Sequence, residues 1–178
     1  MKSTNEEIIN TTIAWINKNG YQDFSLRKLA KEINMSAPAI YKHFKNKDDL
    51  FEKVTEELSA SFMKNVNLDA TQSIEEKILI IAQQFCQQFE LQTNLMDFLF
   101  FNSQSVANFD FENIEKYPFL QNMKYLIHEA NPGKITDQQL FIKLWSFIQG
   151  YALLLKNNIV KYDPELVSIS LKQLLGEE

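Results

Sequence analysis

A single cysteine, Cys86, excludes any disulfide within the chain, so packing and hydrogen bonding must hold the fold. Glycine and proline number only 4 each among 178 residues. So few breakers leave little room for the many tight turns of a β-sandwich or barrel, and they favour long helices. A long apolar run is also missing. The most apolar stretch, Leu144 to Leu155, is 12 residues long and contains Ser146 and Gln149, which suits a buried helix and is too short to cross a bilayer. No basic-then-apolar leader opens the sequence, which reads as that of a cytoplasmic protein with no membrane partner. There is no glycine-rich phosphate loop, no nucleophile elbow, and no His or Cys near His128 at metal-ligand spacing. Carboxylates such as Glu75 and Glu76 fall on solvent faces at helix starts. The expectation is a protein that is not an enzyme and uses neither metal nor cofactor.

What is present is an ordinary globular apolar share of 45%, with 14 phenylalanines. The net charge of −5 argues against a nucleic-acid binder until it is mapped along the chain. Between Ser25 and Lys47, six basic residues (Arg27, Lys28, Lys31, Lys42, Lys45 and Lys47) face Glu32 alone, a local balance of +5. From Asn65 onward 8 basic residues meet 14 acidic ones, a balance of −6. A basic patch on an acidic molecule can bind phosphate locally, although a basic run by itself is also the mark of a plain solvated face.

Periodicity divides the chain into about nine helices and no strand. The first starts at Thr4, where Thr4-Asn5-Glu6-Glu7 has the capping-box form, and it ends at Gly20 as a left-handed C-cap. Ile9, Ile13 and Ile16 recur along it, with Ile8, Thr12 and Trp15 on an adjoining stripe. Ser25 caps a short second helix with Leu26, Leu29, Ala30 and Ile33 inward. Asn34 turns the chain, because Asn tolerates positive φ best among non-glycine residues. Ser36 caps a third helix, Ala37 to Phe44, with Pro38 harmless in its first turn. Asn46 caps a fourth, whose inner stripe is Leu50, Val54, Leu58 and Phe62. Further helices are expected over Ser73–Leu91, Asn94 to about Ser103, Tyr117–Ala130, Thr136–Lys156 and Pro164–Leu175, with a less regular stretch from Gln104 to Asp110.

Two short helices joined by a three-residue turn, with a basic exposed face, are how a chain lays one helix in the DNA major groove. Ile40 and Phe44 point inward at i, i+4 spacing. Pro38, Ala39, Tyr41, Lys42 and Lys45 are left toward the groove or its walls. The run Phe24-Ser25-Leu26-Arg27-Lys28-Leu29-Ala30-Lys31-Glu32-Ile33, then Asn34-Met35-Ser36, then Ala37-Pro38-Ala39-Ile40-Tyr41-Lys42-His43-Phe44 and Lys45-Asn46-Lys47-Asp48-Asp49-Leu50, resembles the DNA-binding signature of TetR/AcrR repressors. The resemblance spans about Glu6 to Leu58, and Asn34 stands where that family usually has glycine. It implies an all-α protein with a three-helix helix-turn-helix domain at residues 2–62 and a helical ligand-binding and dimerisation domain at 63–178. It also implies phosphate contacts by Tyr41 and Lys47, with Ser25 and His43 near the backbone, and base edges met by Ala37, Pro38, Ala39 and Lys42. Arg27 and Ser36 complete the DNA-contacting set. Tyr41 has an alternative as a half-buried core residue, and His43 as a local packing partner of Phe44.

The same resemblance implies a homodimer on a palindromic operator, released by a small inducer, and Phe-rich, Met-containing middle helices with few charges suit a hydrophobic one. Apolar residues surround the helix from Thr136 to Lys156, which is what burial on two sides requires. That helix and the last one are expected to form a four-helix interface, through Phe141, Ile148, Tyr151, Leu155, Leu166, Ile169 and Leu174. Trp145-Ser146-Phe147-Ile148-Gln149-Gly150 resembles a Trp-x-x-x-His-Gly element found in part of the family, with Gln149 in the histidine position. The candidate inducer pocket is Phe85, Phe89, Met96, Phe100, Phe119, Met123 and Trp145, a stripe that plain core packing would also produce. The rival reading is a helical ligand-binding or interaction protein that does not read DNA sequence.

Overall fold

The computed structural model describes residues 3–102 and 117–176. Among them the chain is entirely helical, in nine helices: α1 (Thr4–Asn19), α2 (Leu26–Glu32), α3 (Ala37–Tyr41), α4 (Lys47–Asn65), α5 (Ile74–Leu91), α6 (Thr93–Phe101), α7 (Pro118–Ala130), α8 (Asp137–Lys156) and α9 (Pro164–Leu175). Ser103 and the irregular stretch expected from Gln104 to Asp110 lie outside the described residues. No described helix is long and apolar enough to cross a membrane.

Two compact units result. The first contains residues 3–59 and 92–102 of the described chain. Its core is built where the helical stripes converge: Ile8 and Ile16 of α1, Leu26 and Leu29 of α2, Ile40 of α3, and Leu50, Phe51 and Val54 of α4. Helix α6 completes it by adding Leu95 and Phe98. A single cut near residue 62 would have assigned α6 elsewhere. Its local sequence, rich in Leu, Met and Phe, reports burial but not the partner.

Local chemistry sets the element ends. The capping box of α1 is formed by Ser3 and Glu6, one residue before the Thr4–Glu7 pair, because Ser3-Thr4-Asn5-Glu6 fits the same pattern. Gly20 closes α1 at φ 74° and ψ 177°, a region open only to glycine rather than the left-handed helical one expected. A Cβ there would also fall 2.7 Å from Gln22 Oε1. Asn34 does adopt positive φ, at 54°, and allows Met35 N–H to reach the Ala30 carbonyl at 2.9 Å. Helix α3 stops at Tyr41 rather than Phe44, since Lys42 and His43 close into a tighter turn.

The second unit contains residues 60–91 and 117–176. Helix α5 touches α7, α8 and α9, and contributes Ile78, Ile81, Ala82, Phe85, Cys86 and Phe89 to the core. Helix α8 opens on a capping box between Thr136 and Gln139. Helices α8 and α9 run antiparallel, with the Lys143 ammonium donating to the Leu174 carbonyl at 2.6 Å. Toward the other end the Tyr151 hydroxyl donates to the Lys161 carbonyl at 3.1 Å.

Candidate nucleic-acid interface

The reading elements are short and depend on their caps. Ser25 Oγ accepts from Lys28 N–H at 3.3 Å, and Ser36 Oγ accepts from Ala39 N–H at 3.2 Å. Each hydroxyl keeps its own hydrogen to donate outward. Asn46 Oδ1 accepts from Asp49 N–H at 2.8 Å, while Asp49 accepts from Lys45 N–H at 2.9 Å, so the turn leading into α4 is pinned from both sides. These caps fix the first residues of three consecutive helices in one small domain.

Burial sorts the expected contact residues. Ile40 and Phe44 are enclosed, as the i, i+4 spacing requires. Tyr41 is 52% exposed. Arg27, Ser36, Pro38, Lys42 and His43 are exposed, and Ser25, Ala37, Ala39 and Lys47 are half-buried. His43 Nδ1 hydrogen-bonds Asn5 Oδ1 at the start of α1, so one ring nitrogen is committed locally and Nε2 is the remaining polar atom. Among the other basic residues, Lys28 is held by the Asp23 carbonyl at 2.8 Å and lies 5.9 Å from the Trp15 ring.

Lys47 has the most built environment. Its Nζ lies 4.7 Å from the Phe51 ring centroid and 5.9 Å from that of Phe24, and it reaches the Tyr21 carbonyl at 3.5 Å. Partial burial lowers its pKa, and the neighbouring Asp48 charge works against that shift. Sequence spacing placed Lys47 at the start of α4 but gave no sign of Phe51 or Tyr21 beneath it.

In the second unit the expected pocket and interface residues separate. Phe85, Phe119, Met123 and Trp145 line one cavity, together with Phe141, Ile148 and neighbouring aliphatic residues. The Trp145 ring lies 5.2 Å from Phe85 and 5.8 Å from both Phe119 and Phe141. The cavity volume is about 20 Å³, room for one water-sized group. Phe89 is buried against Phe85 but does not line it. Met96 and Phe100 are buried on α6, in the first unit.

Of the residues expected at a dimer interface, Phe141, Ile148, Tyr151 and Leu155 are buried within the chain and face its own core. Leu174 is half-buried. Leu166 and Ile169 are 46% and 49% exposed. A helix hydrophobic all round does not say which side faces its own domain. The outer side of α8 presents Ile142, Leu153 and Leu154, which the sequence reading passed over. Among the described residues, no group of three or more His, Cys, Asp and Glu side chains is gathered for a metal.

Residues 8–54 match the family described as bacterial regulatory proteins, tetR family. An uncharacterised HTH-type transcriptional regulator of Haemophilus influenzae is 29% identical over 120 residues, which are 67% of this chain and 57% of that protein. The chain thus spans little more than half the length of that relative. Among solved structures, the fatty acid degradation regulator FadR from Bacillus halodurans superposes with a TM-score of 0.71 at 18% identity, covering 98% of this chain and 96% of that one. BioQ with its natural double-stranded DNA operator gives a TM-score of 0.69 at 15% identity, covering 98% of both chains. At such identities the superpositions speak for the fold. Residues 8–54, which hold α2, α3 and the start of α4, are thus similar to the tetR family of bacterial regulatory proteins.

Proposed function

We propose that this protein is a cytoplasmic transcriptional repressor that binds a palindromic operator as a homodimer and is released by a small hydrophobic inducer. The observation that carries the reading is the capped α2–α3 pair with Tyr41 and Lys42 exposed on one side and Ile40 and Phe44 locked into the core on the other. Tyr41, Lys47 and Ser25 hold the phosphate backbone, with His43 near it, joined by Arg27 and Ser36. Ala37, Pro38, Ala39 and Lys42 meet base edges. Arg27 is the sole arginine in the sequence and lies outside α3, so bidentate guanine contacts are scarce. Thymine methyls and groove shape then do much of the discrimination.

The dimer face is the exposed side of α8 and α9, with Ile142, Leu153, Leu166 and Ile169 as its apolar residues. Gly150 supports this choice. It lies in the middle of α8, where glycine costs about 0.5–1 kcal/mol against alanine, and a Cβ there would meet nothing within 4 Å. Among the described residues nothing near Gly150 requires a glycine, and close approach of a second α8 would account for one.

The inducer enters the cavity beside Trp145, whose wall offers no charged group. With room for about one water, the cavity must open by rotation of its rings, and an inducer works only by favouring the opened form. The name of the FadR neighbour, a fatty acid degradation regulator, is in keeping with an acyl chain as ligand.

The test is an anisotropy titration of the protein on its own upstream intergenic DNA and on a shuffled duplex, from 50 to 200 mM salt. A repressor of this kind prefers its own DNA and loses affinity steeply as salt rises. Equal binding to both duplexes at every salt concentration favours the helical interaction protein instead.

A further inference from the structure

Helix α6 contributes Phe98 to the core of the DNA-reading unit, where it is 0% exposed. Its ring meets Phe51 edge-on, with centroids 4.8 Å apart and planes at 81°, and it meets Tyr21 at 5.7 Å and 67°. Those two residues are also the ones that hold Lys47, through the Phe51 ring and the Tyr21 carbonyl. We propose that Phe98 is a positioning residue for DNA binding, fixing the platform from which Lys47 grips phosphate and so making that grip depend on where α6 lies.

The physical argument has three steps. An ammonium gains from an aromatic ring only near its face, within about 6 Å of the centroid, so the orientation of Phe51 matters as well as its presence. An edge-on neighbour holds that orientation, because T-shaped packing opposes rotation of the ring. Finally, α6 itself is tied down by polar contacts to the α1 end of the unit. Asn94 donates to the Asn17 carbonyl at 2.9 Å, and Gln22 donates to the buried Asp97 carboxylate at 3.4 Å. Gln22 sits against Gly20, whose φ of 74° would strain any larger residue.

The inference rests on Lys47 being a phosphate contact, and the experiment separates the two. Wild type, Lys47→Ala, Phe98→Leu and the double variant, all as full chains, are titrated on one operator duplex across salt. The slope of log K against log [salt] is then compared. Removing one phosphate contact per chain lowers the magnitude of the slope by about 0.9 per chain. We expect Lys47→Ala to show that loss, Phe98→Leu to show a loss in the same direction, and the double variant to match Lys47→Ala alone. A purely structural role for Phe98 weakens binding at every salt concentration and leaves the slope unchanged. That result, with Lys47→Ala lowering the slope, overturns the positioning role alone. An unchanged slope in Lys47→Ala overturns the phosphate contact and the inference with it. Should Phe98→Leu melt below the assay temperature, Phe98→Met also removes the ring edge while keeping the volume, and the same outcomes apply.

Discussion

The Lys47 ammonium stands 4.7 Å from the centre of the Phe51 ring, so the cation at the start of α4 rests on the hydrophobic core rather than hanging free in solvent. A lysine held this way has already given up much of the rotamer freedom that phosphate binding would otherwise remove. Its lowered pKa reflects the same partial burial. The neighbouring Lys45 and Lys42 are exposed, whereas Lys47 is half-buried.

That difference predicts distinct mutant behaviour. Lys47→Ala should weaken binding to all duplexes by a similar factor and flatten the salt dependence. Lys42→Ala should relax the preference at one base position, at about 1–3 kcal/mol, while other positions keep theirs. Binding to a set of single-base operator variants distinguishes the two, and a parent-like profile for both would mean that α3 is misplaced.

A second prediction separates the two sides of α8. Leu166→Asp and Ile142→Asp should yield a folded monomer by light scattering, because both side chains are exposed in the single chain. Phe141→Ala should instead destabilise the fold by about 3–5 kcal/mol, as truncation of an enclosed phenylalanine does, with that loss seen in denaturant titration. A dimer that survives Leu166→Asp and Ile142→Asp together would remove this face from the interface.

Cys86 should be chemically silent in the native protein. It is fully enclosed on α5, and burial pushes its thiol up to about 12. At pH 8 an aromatic disulfide reagent should label it only after unfolding. Rapid labelling of the native protein would contradict that enclosure.

The junction between α7 and α8 should respond to pH. His128 Nδ1 lies 2.8 Å from Asp137 Oδ2. The hydrogen bond to Asp137, followed by that carboxylate's charge, raises the His128 pKa above 6.5. Asn131 first and His128 second lower that of Asp137 below 3.8. The histidine contribution is fully present below 6.5 and fades as pH rises through its folded value, while the aspartate contribution is present above 3.8 and fades on acidification. His128→Gln should therefore lower the melting temperature at pH 5 and have less effect at pH 8.5. An equal effect at both values would contradict the pairing.

The helices were legible from caps and spacing because those signals are local. Ser25, Asn34, Ser36 and Asn46 each do in the fold what their chemistry suggests in the sequence. Partner choice was not legible. Met96 and Phe98 look alike in a run of Leu, Met and Phe, and only the tertiary fold sends α6 to the core of the first unit. The same limit misled the reading of α8, where Phe141 and Ile142 are adjacent and equally apolar yet face opposite ways. His43 illustrates a smaller case, its partner Asn5 lying 38 residues earlier in the sequence.

The central claim is that two copies of the capped α2–α3 pair read one palindrome together. Hydroxyl-radical footprinting of the upstream DNA tests it most directly. The account predicts two protected segments on one face of the duplex, their centres about one helical turn or a multiple of it apart, with symmetric sequence beneath them. Uniform protection at every protein concentration, or a single unpaired footprint, would contradict it.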